Sequence, residues 1–160
     1  LVTGAGSGLG AATARHLAGQ GARVIALDFD AAAAEAVAAG IGGHAVAADV
    51  GDAGAVAGAV EAGIAAAGQA PRIVVNCAGI APAARVVGRE GRLSTELFAQ
   101  VIRVNLIGTF NVMAHAARAM QALPALDDGE RGVVINTASI ASRHKPTAQS
   151  AGPGSSPSCS

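Results

Sequence analysis

Short runs of apolar residues alternate along the chain with longer stretches of helical character. The runs are largely continuous and rich in Val, Ile, Leu and Ala, which is typical of strands buried on both faces. They predict five strands, at residues 1–3, 23–28, 44–49, 72–76 and 133–137. The stretches between them predict helices over about residues 9–19, 31–39 and 53–67, and from Ser94 or Thr95 as N-cap to near Gln121. Strands and helices in this order predict an α/β fold with a doubly wound parallel sheet covered on both faces.

The composition changes sharply after residue 142. Residues 143–160 contain no Leu, Ile, Val or Phe and include three prolines, so they have little apolar surface to bury. We therefore predict one domain over residues 1–142 and a disordered tail over residues 143–160, with the sheet truncated after its fifth strand. A shifted reading frame would explain such a tail. A start inside the first strand would explain why the chain opens on a strand end.

Charge is balanced, because eleven Lys and Arg residues offset eleven Asp and Glu residues. This composition produces no positive field of the kind that would attract nucleic acid or an anionic membrane surface. No apolar run is long enough to predict a membrane span, and no signal peptide is recognisable. Cys77, Cys159 and the scattered histidines have neither disulfide nor metal-ligand spacing. We therefore expect a cytoplasmic protein with a small-molecule partner and no metal.

The first predicted strand runs into a glycine-rich loop that opens a helix, Gly4-Ala5-Gly6-Ser7-Gly8-Leu9-Gly10. Glycines in this position allow positive φ angles, let the backbone approach a pyrophosphate and let the helix pack close to the sheet. The helix start offers free N–H groups and a positive dipole end to phosphate oxygens, and the Ser7 hydroxyl can add a donor. Because the chain has 22 glycines, a plain turn is the alternative interpretation of this cluster.

Asp28 ends the second predicted strand, about twenty residues after the glycine loop. An acid there can accept hydrogen bonds from the ribose hydroxyls of a dinucleotide, and it repels a 2′-phosphate. The pattern therefore favours a Rossmann-like domain that binds NAD rather than NADP. In the alternative interpretation Asp28 is a helix N-cap or a solvated acid, a role that Asp30 could equally fill. No Gly-Lys-Ser/Thr follows the loop, so a P-loop nucleotidase is not expected.

Further motifs follow the glycine loop in order. They are Asp49-Val50 after the third strand, Asn76-Cys77-Ala78-Gly79 after the fourth, Asn105 within residues 104–110, and Ser139 at the end of residues 135–139. Together with residues 3–10, these motifs resemble those of the short-chain dehydrogenase/reductase family, over residues 1 to about 142. Residues 75–81, 105–112 and 131–139 resemble in particular the type 2 3-hydroxyacyl-CoA dehydrogenase branch, which also contains 17β-hydroxysteroid dehydrogenase type 10.

The resemblance implies an NAD-dependent oxidoreductase that moves a hydride between NAD and a secondary alcohol or ketone such as a 3-hydroxyacyl-CoA. The predicted cofactor site comprises Gly4, Ser7, Gly8, Leu9, Gly10, Asp28, Asp49, Val50, Asn76, Cys77, Ala78 and Gly79. In this resemblance Asp49 and Val50 contact the adenine ring, and Cys77 contributes mainly its backbone, since no neighbour activates its thiolate. Ser139 would hydrogen-bond the substrate oxygen, and Asn105 would hold a water in the proton relay.

In the family a tyrosine is the general acid/base, and a lysine one helical turn later lowers its pKa. This sequence contains no tyrosine, and the two positions counted from Ser139 fall on Gly152 and Ser156. We therefore predict that the chain is inactive alone. The alternative function is a non-catalytic NAD-binding remnant or a truncated gene product. The resemblance implies that full-length members are homo-oligomers, with a subunit interface made by the long helix from Ser94 and the next helix of the fold. This sequence lacks that next helix, so stable assembly of this chain is not expected.

Overall fold

A computed structural model describes residues 1–82 and 95–139 of the chain. Five strands lie in these ranges: β1 (Val2–Thr3), β2 (Ile25–Asp28), β3 (His44–Ala47), β4 (Ile73–Asn76) and β5 (Val133–Asn136). Between them lie α1 (Gly8–Gly19), α2 (Ala31–Ile41), α3 (Ala53–Ala67), α4 (Thr95–Ile102), a π-helical segment (Arg103–Gly108) and α5 (Thr109–Met120). The predicted alternation is confirmed, and the strands are slightly shorter than predicted. Ser94 and the predicted tail, residues 143–160, lie outside the described residues.

The five strands form one parallel sheet in the order β3-β2-β1-β4-β5. Val2 of β1 lies opposite Ala26 of β2 on one side and Val75 of β4 on the other. The chain therefore winds outward from β1 to β3, returns, and continues with β4 and β5 on the other side of β1. The doubly wound parallel sheet is confirmed. At such a reversal of strand order a crevice opens at the carboxyl ends of the strands, where ligands of α/β proteins bind.

Alternate strand residues pack into two hydrophobic cores, one on each face of the sheet. Leu27 and Val74 are fully buried on the face covered by α3 and α5. Val2 and Ala26 are fully buried on the opposite face, which α1 and α2 cover. Because alanines and valines make up most of both cores, the helices can lie close to the sheet, and stability depends on close packing rather than on large side chains.

Two aspartates begin the helices that follow β2 and β3. Asp30 caps α2, its carboxylate accepting from the Ala33 amide at 3.1 Å. Asp52 caps α3 and accepts from the amides of Gly54 and Ala55 at 2.8 and 2.9 Å. Each bond satisfies N–H groups that have no acceptor inside the helix. The N-cap of α2 is therefore Asp30 and not Asp28, the two candidates that the sequence allowed.

The helical stretch predicted up to near Gln121 is present, but it is not α-helical throughout. The π-helical segment Arg103–Gly108 separates α4 from α5. Asn105 lies in it, and its carbonyl oxygen accepts from the Thr109 hydroxyl at 2.8 Å. Wide turns of this kind occur frequently at functional sites. Local apolar periodicity did not reveal it, because the contacts that accompany the wide turn are made with residues distant in sequence.

The combined helical stretch Thr95–Met120 is long and apolar enough to cross a membrane by length and composition, with a mean hydropathy of 1.3 over its best window. The sequence had predicted no such stretch. Core helices of globular proteins pass the same test, so this is weak evidence for a membrane. Here Val112, Ala116 and Met120 of α5 are buried in the core that α3 shares, whereas Phe98 and Phe110 are exposed.

Within the described residues, β5 pairs with β4 alone and ends the sheet. Val133 and Ile135 are 45% and 49% exposed. With Ile73 and Val75 of β4 they line a shallow apolar depression beside α1. Exposed apolar edge strands of this kind favour aggregation.

Candidate functional site

A cleft of about 530 Å³ lies at the carboxyl ends of β1, β2, β3 and β4, within the size range of ligand-binding pockets. It is where the reversal of strand order predicts a ligand. Its walls include every predicted cofactor residue except Asn76. Among residues 1–82 and 95–139, those that line it are Gly4, Ser7, Gly8, Leu9, Gly10, Leu27, Asp28, Phe29, Ala48, Asp49, Val50, Cys77, Ala78, Gly79, Ile80, Gln100, Arg103 and Val104.

The glycine loop after β1 is tightly packed at its ends and open at its centre. Gly4 has a φ of +62°, and a Cβ placed there would lie 2.9 Å from the Cα of Ala78. A Cβ on Gly10 would collide with the carbonyl oxygen of Gly4, so α1 can approach the loop only through a glycine. Gly8 has a φ of +51°, yet a Cβ there would meet nothing within 4 Å. Gly8 also lines the cleft, at the start of α1.

Helix α1 begins at Gly8, and its first helical hydrogen bond is donated by the Ala11 amide to the Ser7 carbonyl at 3.0 Å. The amides that precede Ala11 in the first turn therefore have no acceptor inside the helix. No acidic side chain lies in that turn, and the Ser7 side chain makes no cap bond. The positive end of the helix dipole is thus left uncompensated by the helix itself, at the wall of the cleft.

The Asp28 carboxylate lies at the end of β2 and is tied to the glycine loop. One oxygen accepts from the Gly6 amide at 2.8 Å, and the other accepts from the Asp30 amide at 3.0 Å. Asp28 is partly buried and lines the cleft, whereas the next residue, Phe29, is 79% exposed at the same wall. A fixed negative charge therefore stands beside the start of α1.

Asp49 follows β3 and is paired with a cation from the π-helical segment. Arg103 donates from Nη1 to one carboxylate oxygen at 2.7 Å, and the Gly51 amide donates to the other at 2.9 Å. The Arg103 hydrogen bond holds the pKa of the Asp49 carboxyl below its ordinary value. Val50, the second residue of the predicted adenine-contacting pair, is buried and also lines the cleft.

Asn76 is the predicted cofactor residue that does not line the cleft. It is 3% exposed, and its amide donates to the Asn136 side chain at 2.9 Å, which joins β4 to β5. Thr3, 1% exposed, accepts from the backbone amides of Cys77 and Ala78 at 3.1 Å each. Asn76 therefore supports the sheet beneath the cleft, while residues 77–79 form its wall.

Cys77 is partly buried, and desolvation raises the pKa of its thiol. The thiolate is disfavoured, in agreement with the sequence-based expectation that this cysteine is not a reactive nucleophile. Among residues 1–82 and 95–139, no group of three or more His, Cys, Asp and Glu side chains is placed to hold a metal ion.

Asn105 forms a reciprocal pair with the backbone of Ile80. Its amide oxygen accepts from the Ile80 amide and its amide nitrogen donates to the Ile80 carbonyl, each at 2.8 Å. The side chain thereby fixes the loop that follows β4 against the π-helical segment. Ser139 follows β5 at the same edge of the sheet and is exposed, and neither Asn105 nor Ser139 lines the cleft of residues 4–104.

Sequence reasoning missed Arg103, Ile80 and Phe29 as residues of this site. Phe29 directly follows Asp28, so its position after a strand was an available signal. Arg103 lies two residues before Asn105, a spacing that would place the two side chains on different faces of an α-helix. No local pattern shows that Arg103 reaches Asp49, because the two are 54 positions apart in sequence.

Comparisons with known proteins agree with this geometry. The family model described as short chain dehydrogenase matches residues 1–155, and so extends past residue 142. Human 3-hydroxyacyl-CoA dehydrogenase type-2 is 41% identical over 145 residues, which cover 88% of this chain and 55% of the human protein. The chain therefore spans about half the length of the curated relatives that it matches.

Solved structures share the fold. The structure of 3-hydroxyacyl-CoA dehydrogenase type-2 from Mycobacterium avium has a TM-score of 0.80 and 33% identity, covering 89% of this chain and 57% of that one. A Brucella melitensis structure described as a ribose-5-phosphate isomerase has a TM-score of 0.75 and 35% identity, covering 90% of this chain and 52% of that one. Similarity of fold therefore does not by itself name the reaction. Because the family model covers nearly the whole chain, this protein belongs to the short-chain dehydrogenase family.

Proposed function

We propose that this chain is the NAD-binding half of an oxidoreductase that transfers a hydride between NAD and a secondary alcohol or ketone. The observation that carries the proposal is the Asp28 carboxylate, held at the cleft beside the open start of α1. A carboxylate and a free helix start at adjacent strand ends are the two groups that a dinucleotide requires, one for a ribose and one for the pyrophosphate.

The described residues fit such a cofactor along the length of the cleft. The backbone of residues 8–10 would hold the pyrophosphate, since it offers N–H groups without internal acceptors and the space at Gly8 is open. Asp28 would accept from the adenosine ribose, and Asp49 with Val50 would contact the adenine. Residues 77–79 would line the nicotinamide end. The cofactor, when bound, supplies the hydride chemistry.

The charges at the cleft favour NAD over NADP. In this proposal Asp28 accepts from the adenosine ribose hydroxyls, so its charge would repel a phosphate on the 2′-oxygen. Among the described lining residues Arg103 is the one Lys or Arg, and its guanidinium is paired with Asp49. No unpaired cation in the described lining is therefore available to compensate a phosphate beside Asp28.

The substrate proposed for the complete protein is a 3-hydroxyacyl-CoA or a similar secondary alcohol. Support comes from the resemblance of residues 75–81, 105–112 and 131–139 to the type 2 branch, and from the names of the relatives. In this proposal Ser139 hydrogen-bonds the substrate oxygen, and Asn105 holds a water for proton transfer. The cytoplasmic location and the absence of nucleic-acid or membrane partners stay predictions.

A second candidate function is nucleotide binding without catalysis, and the sequence supplies the reason for it. The chain has no tyrosine, and the resemblance, counted from Ser139, puts the family's tyrosine and lysine at Gly152 and Ser156, which lie outside the described residues. Neither side chain can act as a general acid/base, a contribution of typically 10²–10⁴-fold. We propose that this 160-residue chain, when tested alone, binds the cofactor but does not turn over substrate.

Titration with NADH and NADPH tests the binding proposal. Replacing Asp28 by Ala should lower NADH affinity about 10- to 100-fold, the value of one hydrogen bond to a charged group. It should also narrow the preference for NADH over NADPH. Asp30→Ser is the matched control, because it removes a neighbouring charge while keeping an N-cap oxygen. Absence of NADH binding by folded wild-type chain, or unchanged affinity in Asp28→Ala, would refute the proposal.

An activity assay separates the two candidate functions. With NAD and a short 3-hydroxyacyl-CoA, the chain alone should give no turnover above the uncatalysed background. A turnover rate in the usual enzymatic range of about 1–10³ s⁻¹ would contradict the hypothesis of binding without catalysis and would require another general base.

A further inference from the structure

Arg103 reaches the cleft from the π-helical segment, and its side chain passes close to Gly51, in the turn after β3. A Cβ placed on Gly51 would collide with the guanidinium and would lie 2.9 Å from the Arg103 Cγ. The glycine therefore leaves room for the arginine side chain to pass over the chain and reach Asp49. Of the basic residues in the described part of the chain, only Arg103 lines the cleft.

The Asp49 carboxylate is held from two sides by this arrangement. Gly51 N–H donates to one oxygen at 2.9 Å and Arg103 donates to the other at 2.7 Å. These two bonds fix the rotation of the carboxylate about its side-chain axis. An ionised carboxylate has about four acceptor positions, so two remain after both bonds are made. Because Asp49 lines the cleft and its side chain is 30% exposed, it can still accept from a ligand.

A fixed carboxylate beside a purine recognises an exocyclic amino group, which donates two hydrogen bonds. Adenine carries such a group at position 6, whereas hypoxanthine carries a carbonyl oxygen there and would meet the carboxylate with repulsion. An exposed ion pair by itself contributes little to stability, typically below about 1 kcal/mol. Its consequence at this site is orientation of the acid rather than stabilisation of the fold.

We propose that Arg103 is a positioning residue that holds Asp49 so that its carboxylate accepts from the adenine 6-amino group and makes the site selective for adenine dinucleotides. This inference rests on the proposed function. It assigns to Arg103 a role in base selectivity that acts through Asp49. The base-contacting group is Asp49, and Arg103 fixes its direction.

The test compares the affinities of NADH and its hypoxanthine analogue, nicotinamide hypoxanthine dinucleotide in reduced form. Wild-type chain should bind NADH about tenfold more tightly, the value of one charge-assisted hydrogen bond. In Arg103→Met this preference should fall to about twofold, through loss of NADH affinity alone. Arg103→Lys, which keeps the charge, should restore part of it. Arg118→Met, an exposed arginine of α5 outside the cleft, is the matched control and should keep the full preference.

A second measurement needs no variant. Salt screens an exposed ion pair, so raising the ionic strength should reduce the NADH preference of the wild-type chain toward that of Arg103→Met. Phosphate contacts are weakened equally for both dinucleotides and cancel in the ratio. If wild-type chain binds NADH but Arg103→Met keeps the tenfold preference, or salt leaves the ratio unchanged, the role of Arg103 is refuted alone. If wild-type chain binds neither dinucleotide, the proposed function fails and this inference fails with it.

Discussion

Replacing Gly4 by Ala tests whether the glycine loop lies as close to the loop that follows β4 as the structure shows. Gly4 has a φ of +62°, and a Cβ there would lie 2.9 Å from both the Cα and the amide nitrogen of Ala78. These are backbone atoms of a segment that Thr3 holds by two hydrogen bonds. The added methyl group therefore has no flexible side chain to push aside.

The expected loss of stability has two parts. A non-glycine residue in the left-handed region costs about 1–2 kcal/mol. Crowding the backbone of Ala78 adds a cost of the order of overpacking, about 1–3 kcal/mol. The free energy of unfolding of Gly4→Ala should therefore fall by about 2–5 kcal/mol, a large share of the roughly 5–15 kcal/mol of a typical domain.

Gly42→Ala is the matched control for this experiment. Gly42 ends α2 with a φ of +64°, nearly the same as Gly4, but a Cβ there would meet nothing within 4 Å. Only the left-handed cost of about 1–2 kcal/mol applies to it. Urea unfolding followed by circular dichroism gives both free energies from the midpoint and slope. If Gly4→Ala is no less stable than Gly42→Ala, the close approach of the loop to Ala78 is refuted.

Two further predictions concern buried and partly buried polar groups. Thr3→Val should lower the free energy of unfolding, measured in urea, by about 2–4 kcal/mol, because the amides of Cys77 and Ala78 lose their shared acceptor. Thr3→Ser keeps the hydroxyl and should retain most of the wild-type free energy of unfolding. Asp49, whose pKa lies below its ordinary 3.8, should stabilise the fold fully above that ordinary value and progressively less as pH falls through the folded-state pKa. Asp49→Asn should therefore lose less stability than wild type between pH 5 and pH 3; equal losses would contradict the pairing with Arg103.

Much of the fold could be predicted because its signals are local. Each strand is a short apolar run, and Asp52 precedes a helical stretch as an N-cap does. The glycine loop and Asp28 could be placed at one edge of the sheet, because the carboxyl ends of parallel strands meet there. The strand order and the reversal beside β1 were not specified by these patterns, since they depend on which apolar faces pack together.

The site was predicted where motifs follow strands and was missed where contacts span the chain. Asn76 belongs to a motif beside the cleft, but its burial and its bond to Asn136 place it beneath the wall. The motif alone could not separate these roles, because adjacent residues of a strand point to opposite faces.

The sequence by itself determined that the chain alternates strands and helices, that glycines follow the first strand, and that a carboxylate ends the second. These are properties of residue type and spacing over a few positions. Only the tertiary structure decided that Arg103 pairs with Asp49 and that Asn105 hydrogen-bonds the backbone of Ile80. It also decided that Arg103 and Asn105 lie in a π-helical segment. The physical reason is that these contacts join residues at least 25 positions apart, so they exist only after the two cores have packed the segments together.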